Sequence, residues 1–307
     1  MDYFAALRAF RAVVEDDGFA PAARRMGLAT SSLTRQVNSL EQALGVQLLN
    51  RSTRSVTLTD AGQSYLEQTS LILDSLDDAN RSISEEGGAP RGLLRVSLPV
   101  VFAALHVAPS LGLFVRQYPD IKLDLRLSDK TVNLVDDRID VAIRIGPLDN
   151  ANFIAKKLAP HRRVVCASPD YLSEHGVPTH PREIAAHRCL IFDFADGDRT
   201  WRFEKDGEKF SLGVDGPIVA DNSDVLRQAA ISGAGLLMMG SWLIGEDIRA
   251  GRLVQVLDGW TAGHRDINSA IHAVYLPNRR GSRKVSAFVD HLIAHFRSPP
   301  YWEDELR

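Results

Sequence analysis

The stretch APAARRMGLATSSLTRQVNSLEQAL, residues 20–44, predicts two helices joined by a tight turn near the N-terminus of this chain. Its first half is short and rich in alanine, and Gly27 follows where the chain must turn sharply, which glycine does at little steric cost. Two helices joined by such a turn form a helix-turn-helix, which places its second helix in the major groove of DNA. This stretch is therefore expected to bind DNA. The apolar stripe of the second helix consists of Leu33, Val37, Leu40 and Leu44.

Opposite this stripe, the second helix carries a short polar and basic face. Hydroxyl and amide groups hydrogen-bond to phosphates or base edges, and arginine pairs with guanine, whereas a merely solvated face more often carries Lys and Glu. For Arg35 the alternative is an ordinary surface arginine. The candidate DNA-binding residues of this face are Thr30, Ser31, Thr34, Arg35 and Asn38.

Flanking residues complete a small domain. An amphipathic first helix is predicted upstream and ends at Gly18. Downstream, LLNRSTRSVTL (48–58) alternates about a polar turn and predicts a hairpin, the wing of a winged helix-turn-helix. Arg51 and Arg54 of this hairpin have no acidic neighbour in the sequence, so both are expected to contact phosphate or the minor groove. Residues 1–58 are therefore predicted to form a winged helix-turn-helix domain.

A long helix is predicted from Thr59 to about Glu86, because this run contains no proline and Gly62 is its one early glycine. Thr59 is suited to cap it, with Asp60 in the first turn. Residues 59–88 are expected to form a dimerisation linker, and the alternative is a helix that packs on its own chain. The predicted seam, at alternating four- and three-residue spacing, consists of Tyr65, Thr69, Ile72, Leu76, Ala79 and Ile83.

Charge locates the DNA-facing surface. The net charge of the 307 residues is −3, which by itself does not favour a phosphate-rich partner. Residues 1–58, however, carry seven basic and five acidic side chains, and residues 59–86 carry seven acidic side chains against one arginine. Any surface that binds DNA is therefore expected before residue 59.

The start of the chain has no basic segment followed by an apolar stretch and a cleavage site, and no run of about 18 apolar residues is free of charge. The cytoplasm is therefore the expected location. Cys166 and Cys189 cannot form a disulfide framework or a four-cysteine metal site. We expect reduced, buried thiols, with a redox sensor at Cys166 as the alternative.

After Gly-Gly-Ala-Pro at 87–90, strand-like and helix-like stretches alternate in the manner of α/β domains. Helices are predicted near 101–117 and 131–137, and KVSAFVDHLIAHF (284–296) is a final amphipathic helix. Asp206-Gly207 predicts a hairpin turn. The predicted strands are LLRVSL (93–98), KLDLRL (122–127), DVAIRI (140–145), VVCAS (164–168), CLIFDF (189–194) and LLMM (236–239).

Residues 22–62 resemble the N-terminal signature of the LysR-type transcriptional regulators. Downstream, RIDVAIRIGPL (138–148), APHRRVVCASPDYL (159–172) and SWLIGEDIRAGRLVQVL (241–257) resemble the effector-binding region of the same family, so the resemblance covers essentially the whole chain. The signature residues are Ala22, Ala23, Leu33, Arg35, Gln36, Leu40, Glu41, Leu44, Gly45, Val46, Leu48, Leu49, Arg51, Leu58, Thr59, Ala61 and Gly62.

This resemblance implies a multidomain α/β protein: a winged helix-turn-helix, a linker helix, and two α/β subdomains like those of a periplasmic binding protein, with an effector between them. The first subdomain is expected at 91–165 and 268–300, and the second at 166–267. The implied partners are double-stranded operator DNA, a small-molecule effector and a second copy of the chain, in a homodimer or a homotetramer. RNA polymerase is a further candidate partner, and no membrane partner is expected.

The effector is expected where loops that follow strand ends open towards each other. Segments 99–102 and 128–131 follow the first two predicted strands, and 222–223 opens a helix of the other subdomain. The candidate effector-binding residues are Pro99, Val100, Phe102, Ser128, Asp129, Lys130, Thr131, Arg144, Gly146, Trp201, Asn222 and Ser223.

The chemistry of these segments favours a small organic anion, because helix N-termini offer N–H groups and the positive end of the helix dipole. The cationic side chains are those of Lys130, Arg144 and Arg202, and Asp129 and Asp224 would oppose them. Phe102 and Trp201 would supply an apolar wall, unless they are core residues.

An enzyme and a free periplasmic-type binding protein are the rival classes. The chain has no GxSxG elbow, Walker A motif or dinucleotide loop in the context that each requires. A secreted binding protein would need a signal peptide and no helix-turn-helix. His291 and His295 are the best metal candidates, but Leu292 stands where a zinc protease has Glu, and a solvated helix face is expected instead. We therefore expect no catalytic activity, no metal and no cofactor.

Two residues depart from the family pattern. Ala29 stands where Ser usually precedes the recognition helix, so that only Thr30 or Ser31 would be left to cap it with a side chain. Gly240 stands where proline commonly follows a strand, and a more flexible loop is expected there.

Overall fold

The computed structural model describes residues 1–51, 56–84, 89–130, 132–148, 153–193, 197–264, 267 and 269–306. The chain divides into two units, Met1–Gly88 and Ala89–Arg307. The predicted site residues Arg54 and Thr131 lie outside the described residues.

The first unit has the predicted winged helix-turn-helix, with three short helices followed by an antiparallel two-stranded wing. Gly27 ends the second helix at a φ of +66°, a left-handed conformation that glycine adopts readily. The elements of this unit are α1 (Tyr3–Glu15), α2 (Phe19–Met26), α3 (Thr30–Leu44), β1 (Leu49–Arg51), β2 (Val56–Leu58) and α4 (Asp60–Ser84).

The predicted apolar stripes of α1 and α3 meet in the core of this unit. Phe10 and Val13 of α1 are fully buried, and so are Leu33 and Val37 of α3. Burying each such side chain contributes about 1.5–3 kcal/mol. This burial fixes the rotation of α3 about its axis, so its polar face is turned outwards.

Thr59 caps α4 as predicted, because its Oγ1 accepts a hydrogen bond from Gly62 N at 2.9 Å. The same hydroxyl donates to Gln47 O at 2.8 Å. Gly62 is required in this first turn, since a Cβ there would lie 2.0 Å from Leu48 O.

The predicted partner-facing seam of α4 is partly wrong. The Tyr65 hydroxyl lies 3.0 Å from the Tyr3 hydroxyl, and Thr69 is buried against the same chain. This inward face continues with Leu73, which is fully buried, whereas Ile72 is 52% exposed. Spacing identifies a helical stripe but not what covers it, and here the core of the first unit covers its N-terminal part.

The second unit contains two sheets and the helices that join their strands. Its elements are β3 (Gly92–Leu98), α5 (Val100–Phe102), a π-helical turn (Ala103–Val107), α6 (Ala108–Gln117), β4 (Ile121–Leu127), β5 (Val141–Ile145), β6 (Ile154–Pro160), β7 (Arg163–Ala167), α7 (Pro169–His175), a 3-10 helix (Pro181–Ala186), β8 (Cys189–Phe192), β9 (Thr200–Lys205), β10 (Glu208–Gly213), β11 (Ile218–Ala220), α8 (Ser223–Ile231), β12 (Leu236–Gly240), α9 (Ser241–Arg249), β13 (Val254–Val256), β14 (Thr261–Gly263), β15 (Ala270–Tyr275), a 3-10 turn (Pro277–Arg279), α10 (Arg283–Phe296) and a 3-10 helix (Tyr301–Leu306).

The first sheet has the strand order β4-β3-β5-β15-β6. Strand β15 is antiparallel to both of its neighbours, and the other four strands share one direction, so they all end at one edge, the carboxyl edge of the sheet. Helices α6 and α10 pack together on one face, where the rings of Phe114 and Phe288 lie 5.4 Å apart.

The second sheet has the order β10-β9-β14-β7-β12-β8-β11, and β13 also pairs with β7. The predicted hairpin at Asp206-Gly207 is confirmed, since it joins β9 to antiparallel β10 and both turn residues have positive φ, 49° and 84°.

The chain crosses from the first sheet to the second at residues 161–162, and back between β14 and β15. The crossings are tied together by a 3.1 Å hydrogen bond from His161 N to Ser269 O. The expected subdomain boundary after Val165 falls inside β7, all of which belongs to the second sheet. That boundary is corrected to the crossing at 161–162, because an apolar strand pattern does not tell which of two sheets the strand joins.

The helix predicted near 131–137 is wrong, and described residues 134–138 form turns. Asn133 Oδ1 accepts a hydrogen bond from Val135 N at 3.0 Å, and Asp137 Oδ2 accepts one from Asn133 N at 3.0 Å. Side chains of this kind compete with helical backbone bonds and favour turns.

The helical segment Val100–Gln117 is apolar and long enough to cross a membrane by length and composition. Its residues Phe102, Val107 and Phe114 are fully buried among those of the first sheet and its helices. One face of the segment therefore belongs to the core of the second unit.

Candidate DNA interface and ligand site

The N-terminus of α3 has no side-chain cap. Ala29 occupies the cap position, and neither Thr30 nor Ser31 supplies a capping hydrogen bond. The Thr34 hydroxyl instead donates to Thr30 O at 2.8 Å. The first N–H groups of a helix without a cap, together with the positive end of its dipole, form a site for a phosphate.

The predicted DNA-binding residues of α3 are brought together on its outer face. Thr30, Ser31, Arg35 and Asn38 are exposed, and Thr34 is half-buried. Among the residues that the structure describes, the Arg35 guanidinium makes no ion pair and no hydrogen bond. Its donors are therefore available to bases or phosphates.

Arg25 has a different environment from Arg35, although both are exposed arginines of the first unit. Its Nε lies 2.7 Å from Asp16 Oδ2, and its Nη2 lies 2.9 Å from Glu15 Oε2. The sequence alone does not show which of these two arginines is engaged in an ion pair, but the folded structure does.

Arg51 is engaged within the domain, contrary to the prediction of an arginine without an acidic neighbour. Its guanidinium pairs with Glu41 of α3 and lies 5.0 Å above the centre of the Phe19 ring. Glu41 is ten residues away in the chain and becomes a neighbour only when the wing folds back on α3. Arg51 therefore joins the wing to α3. The second arginine of the wing, Arg54, lies outside the described residues.

Two of the three predicted effector segments meet at the carboxyl edge of the first sheet. Ser128 N donates to Leu98 O at 3.0 Å, and Val100 N donates to Asp129 Oδ1 at 3.0 Å. Lys130 N is held by the Ser128 hydroxyl at 3.1 Å. The N-terminus of α5, expected to face an anion, is therefore occupied by the carboxylate of Asp129.

The third segment lies at the end of β11, in the second sheet. Asn222 Oδ1 accepts hydrogen bonds from Asp224 N at 3.0 Å and Val225 N at 3.2 Å, and Ser223 is buried. The expectation of an open helix N-terminus is wrong here too, because the preceding side chain caps it.

The expected apolar wall is also wrong. Phe102 is fully buried, with its ring 5.3 Å from that of Trp242 and 5.6 Å from that of Phe296. Trp201 is 2% exposed and belongs to the core of the second sheet with Phe203. Both are core residues, because Phe102 lies on the buried side of its helix and Trp201 on the buried side of its strand.

The predicted cations differ in their partners. Arg202 Nη1 lies 3.0 Å from Asp198 Oδ2 and 2.9 Å from His264 O. Burial acts to raise the pKa of Asp198, but hydrogen bonds from Thr200 and Arg202 prevail and hold it at about 2. Arg202 is thus neutralised within the protein.

Arg144 and Gly146 lie at the end of β5, on the first sheet. The Arg144 Nη2 donates to Val132 O at 3.0 Å, and Gly146 N donates to Ala270 O at 3.1 Å. Burial lowers the pKa of Arg144. These residues, with Pro99, Ser128 and Lys130, remain candidates for ligand contact at the carboxyl edge.

Sequence reasoning missed Asp198 and Ser97. Asp198 precedes Arg202 by four residues outside any helix, where spacing carries no signal for an ion pair. Ser97 is 1% exposed, and its hydroxyl has no hydrogen-bond partner in the described part of the chain. The alternation of side chains along LLRVSL could have indicated the position of Ser97, because it places Ser97 on the opposite face of the strand from Leu94 and Val96.

The expected flexible loop at Gly240 is a tightly packed strand end. Gly240 is buried as the last residue of β12, and a Cβ there would lie 2.4 Å from Trp242 Nε1 and 2.6 Å from His161 Cε1. Glycine makes room for these two rings at the junction of the sheets.

His291 and His295 do not form the predicted solvated face. His291 is buried, its ring 5.2 Å from that of Phe114, and burial lowers the pKa of both histidines. Their rings are parallel, and the ring centres lie 6.4 Å apart.

The two cysteines are buried free thiols, as expected. Burial raises the pKa of Cys189 to about 12 and raises that of Cys166 well above its ordinary value. Such thiols remain protonated and unreactive, which argues against a redox sensor.

Comparison with known proteins covers both units. A family model described as "Bacterial regulatory helix-turn-helix protein, lysR family" matches residues 4–63, and one described as "LysR substrate binding domain" matches residues 87–297. The HTH-type transcriptional regulator PtxR of Pseudomonas aeruginosa is 33% identical over 295 residues, which are 96% of this chain and 93% of PtxR.

Two solved structures are similar over nearly the whole chain. CrgA, a LysR-type transcriptional regulator from Neisseria meningitidis, has a TM-score of 0.59 and 31% identity over 94% of this chain and 97% of its own. The full-length virulence activator AphB of Vibrio cholerae has a TM-score of 0.58 and 30% identity over 94% of this chain and 98% of its own.

Proposed function

The chain belongs to the LysR family of bacterial transcriptional regulators, which join a DNA-binding helix-turn-helix to an effector-binding domain, and we propose that the outer face of α3 reads its operator. The observation that carries this proposal is the exposed Arg35 guanidinium, which makes no ion pair or hydrogen bond with the described residues, on a helix whose N-terminus has no side-chain cap. A bidentate arginine–guanine pair discriminates bases by about 1–3 kcal/mol.

The test is operator binding by the full chain. An operator is first selected from random duplexes by the wild-type protein, and binding of the Arg35→Ala variant is then measured by fluorescence anisotropy. Arg25→Ala is the matched control, because Arg25 is engaged by Asp16 and Glu15. If Arg35→Ala binds as wild type does, α3 is not the reading helix.

We further propose that the regulator acts as a homodimer, because one recognition helix reads only a few base pairs and two are needed for useful specificity. The exposed side of α4, which includes Ile72, is the proposed pairing surface. A homotetramer of two such dimers, and contact with RNA polymerase when bound to DNA, extend the same proposal.

The proposed site of action is the cytoplasm, where the operator lies, and the proposed role of the second unit is to bind an effector without chemical conversion. A small organic anion, bound at the carboxyl edge of the first sheet, is the proposed ligand class. Calorimetric titration of the full chain with organic acids and their neutral amides tests this class. Binding of the amides alone would exclude an anion.

A further inference from the structure

The second unit consists of two lobes that the chain joins at two crossings. The first lobe is the first sheet with α5, α6 and α10, and the second lobe is the second sheet with α7, α8 and α9. Two lobes joined in this way are expected to rotate relative to each other unless further contacts hold them. The contacts between the lobes therefore determine how freely the unit moves.

The C-terminal 3-10 helix (Tyr301–Leu306), which we call the clasp, contacts both lobes. On the first lobe, the Tyr301 hydroxyl lies 2.6 Å from Nδ1 of His106, in the π-helical turn between α5 and α6. On the second lobe, the Ser241 hydroxyl at the start of α9 donates to Glu303 Oε1 at 2.5 Å. Glu303 Oε2 also lies 3.6 Å from Arg162 Nη1, at the first crossing. The clasp is thus a further connection between the lobes, made by side chains.

The clasp packs on an aromatic contact between the lobes. The rings of Phe102 in the first lobe and Trp242 in the second are 5.3 Å apart. Trp302 of the clasp is 2% exposed, and its ring lies 4.6 Å from that of His106 and 6.1 Å from that of Phe102. His106 in turn donates from Nε2 to Trp242 O at 2.8 Å. The clasp is therefore anchored on residues through which the lobes meet.

Some polar groups of this contact are not satisfied. The indole N–H groups of Trp242 and Trp302 are buried and have no hydrogen-bond partner in the described part of the chain, and the same holds for His161 Nδ1 at the first crossing. A buried polar group without a partner costs free energy, so this packing is less stable than its buried area suggests. Such a contact is suited to be released.

We propose that the clasp restrains the two lobes of the second unit in their present orientation, and that its release allows them to rotate about the crossings. The proposal goes beyond the proposed function, since it holds whichever ligand the unit binds. The clasp follows residue 297, where the match to the family model ends. A ligand that favours another orientation has to overcome the clasp, which thereby sets the ligand concentration at which the regulator responds.

Hydrogen exchange of the full chain, resolved to single amides, measures this restraint. The reporter is His161 N, which donates to Ser269 O at 3.1 Å and ties the two crossings together. The references are amides of the central strands β3 and β12, which exchange only when a lobe itself opens. Tyr301→Phe removes the anchor on the first lobe, and Glu303→Ala removes the anchor on the second.

Each clasp variant has a control of the same chemistry. Tyr118→Phe removes a hydroxyl on the first lobe that accepts a hydrogen bond from Gln117 Nε2 at 3.2 Å. Glu246→Ala removes a carboxylate of α9 that is 70% exposed and lies 3.8 Å from Arg252 Nη2. The contacts that these two controls remove each lie within one lobe.

Both clasp variants should raise the exchange rate of the His161 amide about fivefold, as expected for the loss of a hydrogen bond that holds the lobes. The amides of β3 and β12 should keep their wild-type rates, and both controls should behave as the wild type does. Tyr301→Phe is the sharper test, because its hydroxyl bonds to the first lobe while the reporter lies at the crossing.

The proposal is overturned if both clasp variants leave the His161 amide at its wild-type rate, because the clasp then restrains nothing. Equal acceleration of the amides in β3 and β12 would overturn it as well, since the segment would then only stabilise the fold. The same holds if Tyr118→Phe and Glu246→Ala accelerate the His161 amide as much as the clasp variants do.

Discussion

Arg51 of the wing and Glu41 of α3 form an ion pair, with Arg51 Nη2 2.5 Å from Glu41 Oε2. The other oxygen of Glu41 accepts hydrogen bonds from Leu48 N at 2.8 Å and Leu49 N at 3.1 Å. One carboxylate thereby fixes both the start of β1 and the arginine that follows it. The wing is oriented by the same helix that presents Arg35 to the outside.

Replacing Glu41 by Ala should lower the free energy of unfolding by about 2–3 kcal/mol, because two backbone N–H groups lose a charged acceptor. Chemical denaturation measures the change. Gln42→Ala is the matched control, since Gln42 is the exposed next residue of α3. Equal losses in the two variants would mean that the carboxylate contributes nothing beyond helix propensity.

The Glu41–Arg51 pair is a contact that the sequence pattern could not predict. Helical spacing identified α3, its polar face and the hairpin, because these depend on local periodicity. It assigned Arg51 to DNA because no acidic residue stands beside it in the chain. The ion pair joins two elements, and a one-dimensional pattern contains no information about which face of the wing meets α3.

Oligomerisation should depend on the exposed side of α4. Ile72→Glu places a charge on a side chain that is 52% exposed in the single chain, so folding should be unaffected and assembly should fail. Analytical ultracentrifugation is expected to show monomers. Val46→Glu, at a residue that is 46% exposed on the first unit, is the control that should assemble normally. An assembled Ile72→Glu variant would place the interface elsewhere.

Gly240→Ala should destabilise the second unit by about 1–3 kcal/mol, the usual cost of overpacking. The added methyl group would lie 2.4 Å from Trp242 Nε1 and 2.6 Å from His161 Cε1, and both rings are buried. Gly281→Ala has open space around the new methyl group and should be close to neutral. Similar unfolding midpoints for the two variants would contradict the packing at the junction.

Stability should fall as pH drops from about 6.5 to about 4, owing in part to His106. Its Nε2 donates to Trp242 O at 2.8 Å, so the neutral ring accepts from the Tyr301 hydroxyl through Nδ1 at 2.6 Å. Burial lowers the pKa of His106 to about 4, although the bond to Trp242 opposes this shift.

The sign follows from linkage. Below pH 6.5 the unfolded chain binds a proton at His106 that the folded chain does not bind until about pH 4, so acid favours unfolding by up to about 1.4 kcal/mol per pH unit for this group. His106→Gln removes this proton uptake. Between about pH 4 and pH 6.5, it should therefore lower the slope of the unfolding free energy against pH by up to about 1.4 kcal/mol per pH unit. An unchanged slope would show that His106 is not the group that titrates.

The positions of two expected effector segments were predicted correctly, but the helix N-termini expected to face an anion are not open. Strand ends at one edge of the first sheet followed from the α/β pattern, and the segments at 99–102 and 128–130 do meet there. The pattern gave no means of knowing that Asp129 caps α5 or that Asn222 caps α8. Such caps depend on the rotamers of single side chains, and they occupy the helix ends at which the anion was expected.

We expect the outer face of α3, and not the wing arginine Arg51, to make the arginine contact that reads the operator. The deciding measurement is the affinity of wild type, Arg35→Ala and Arg51→Ala for the selected operator across a series of salt concentrations. Arg35→Ala should lose about 1–3 kcal/mol of specific binding, and Arg51→Ala should keep the wild-type salt dependence because its charge is already paired with Glu41. The opposite result, wild-type affinity for Arg35→Ala and a salt slope lowered by about one for Arg51→Ala, would mean that Arg51 contacts the DNA and that Arg35 does not read it.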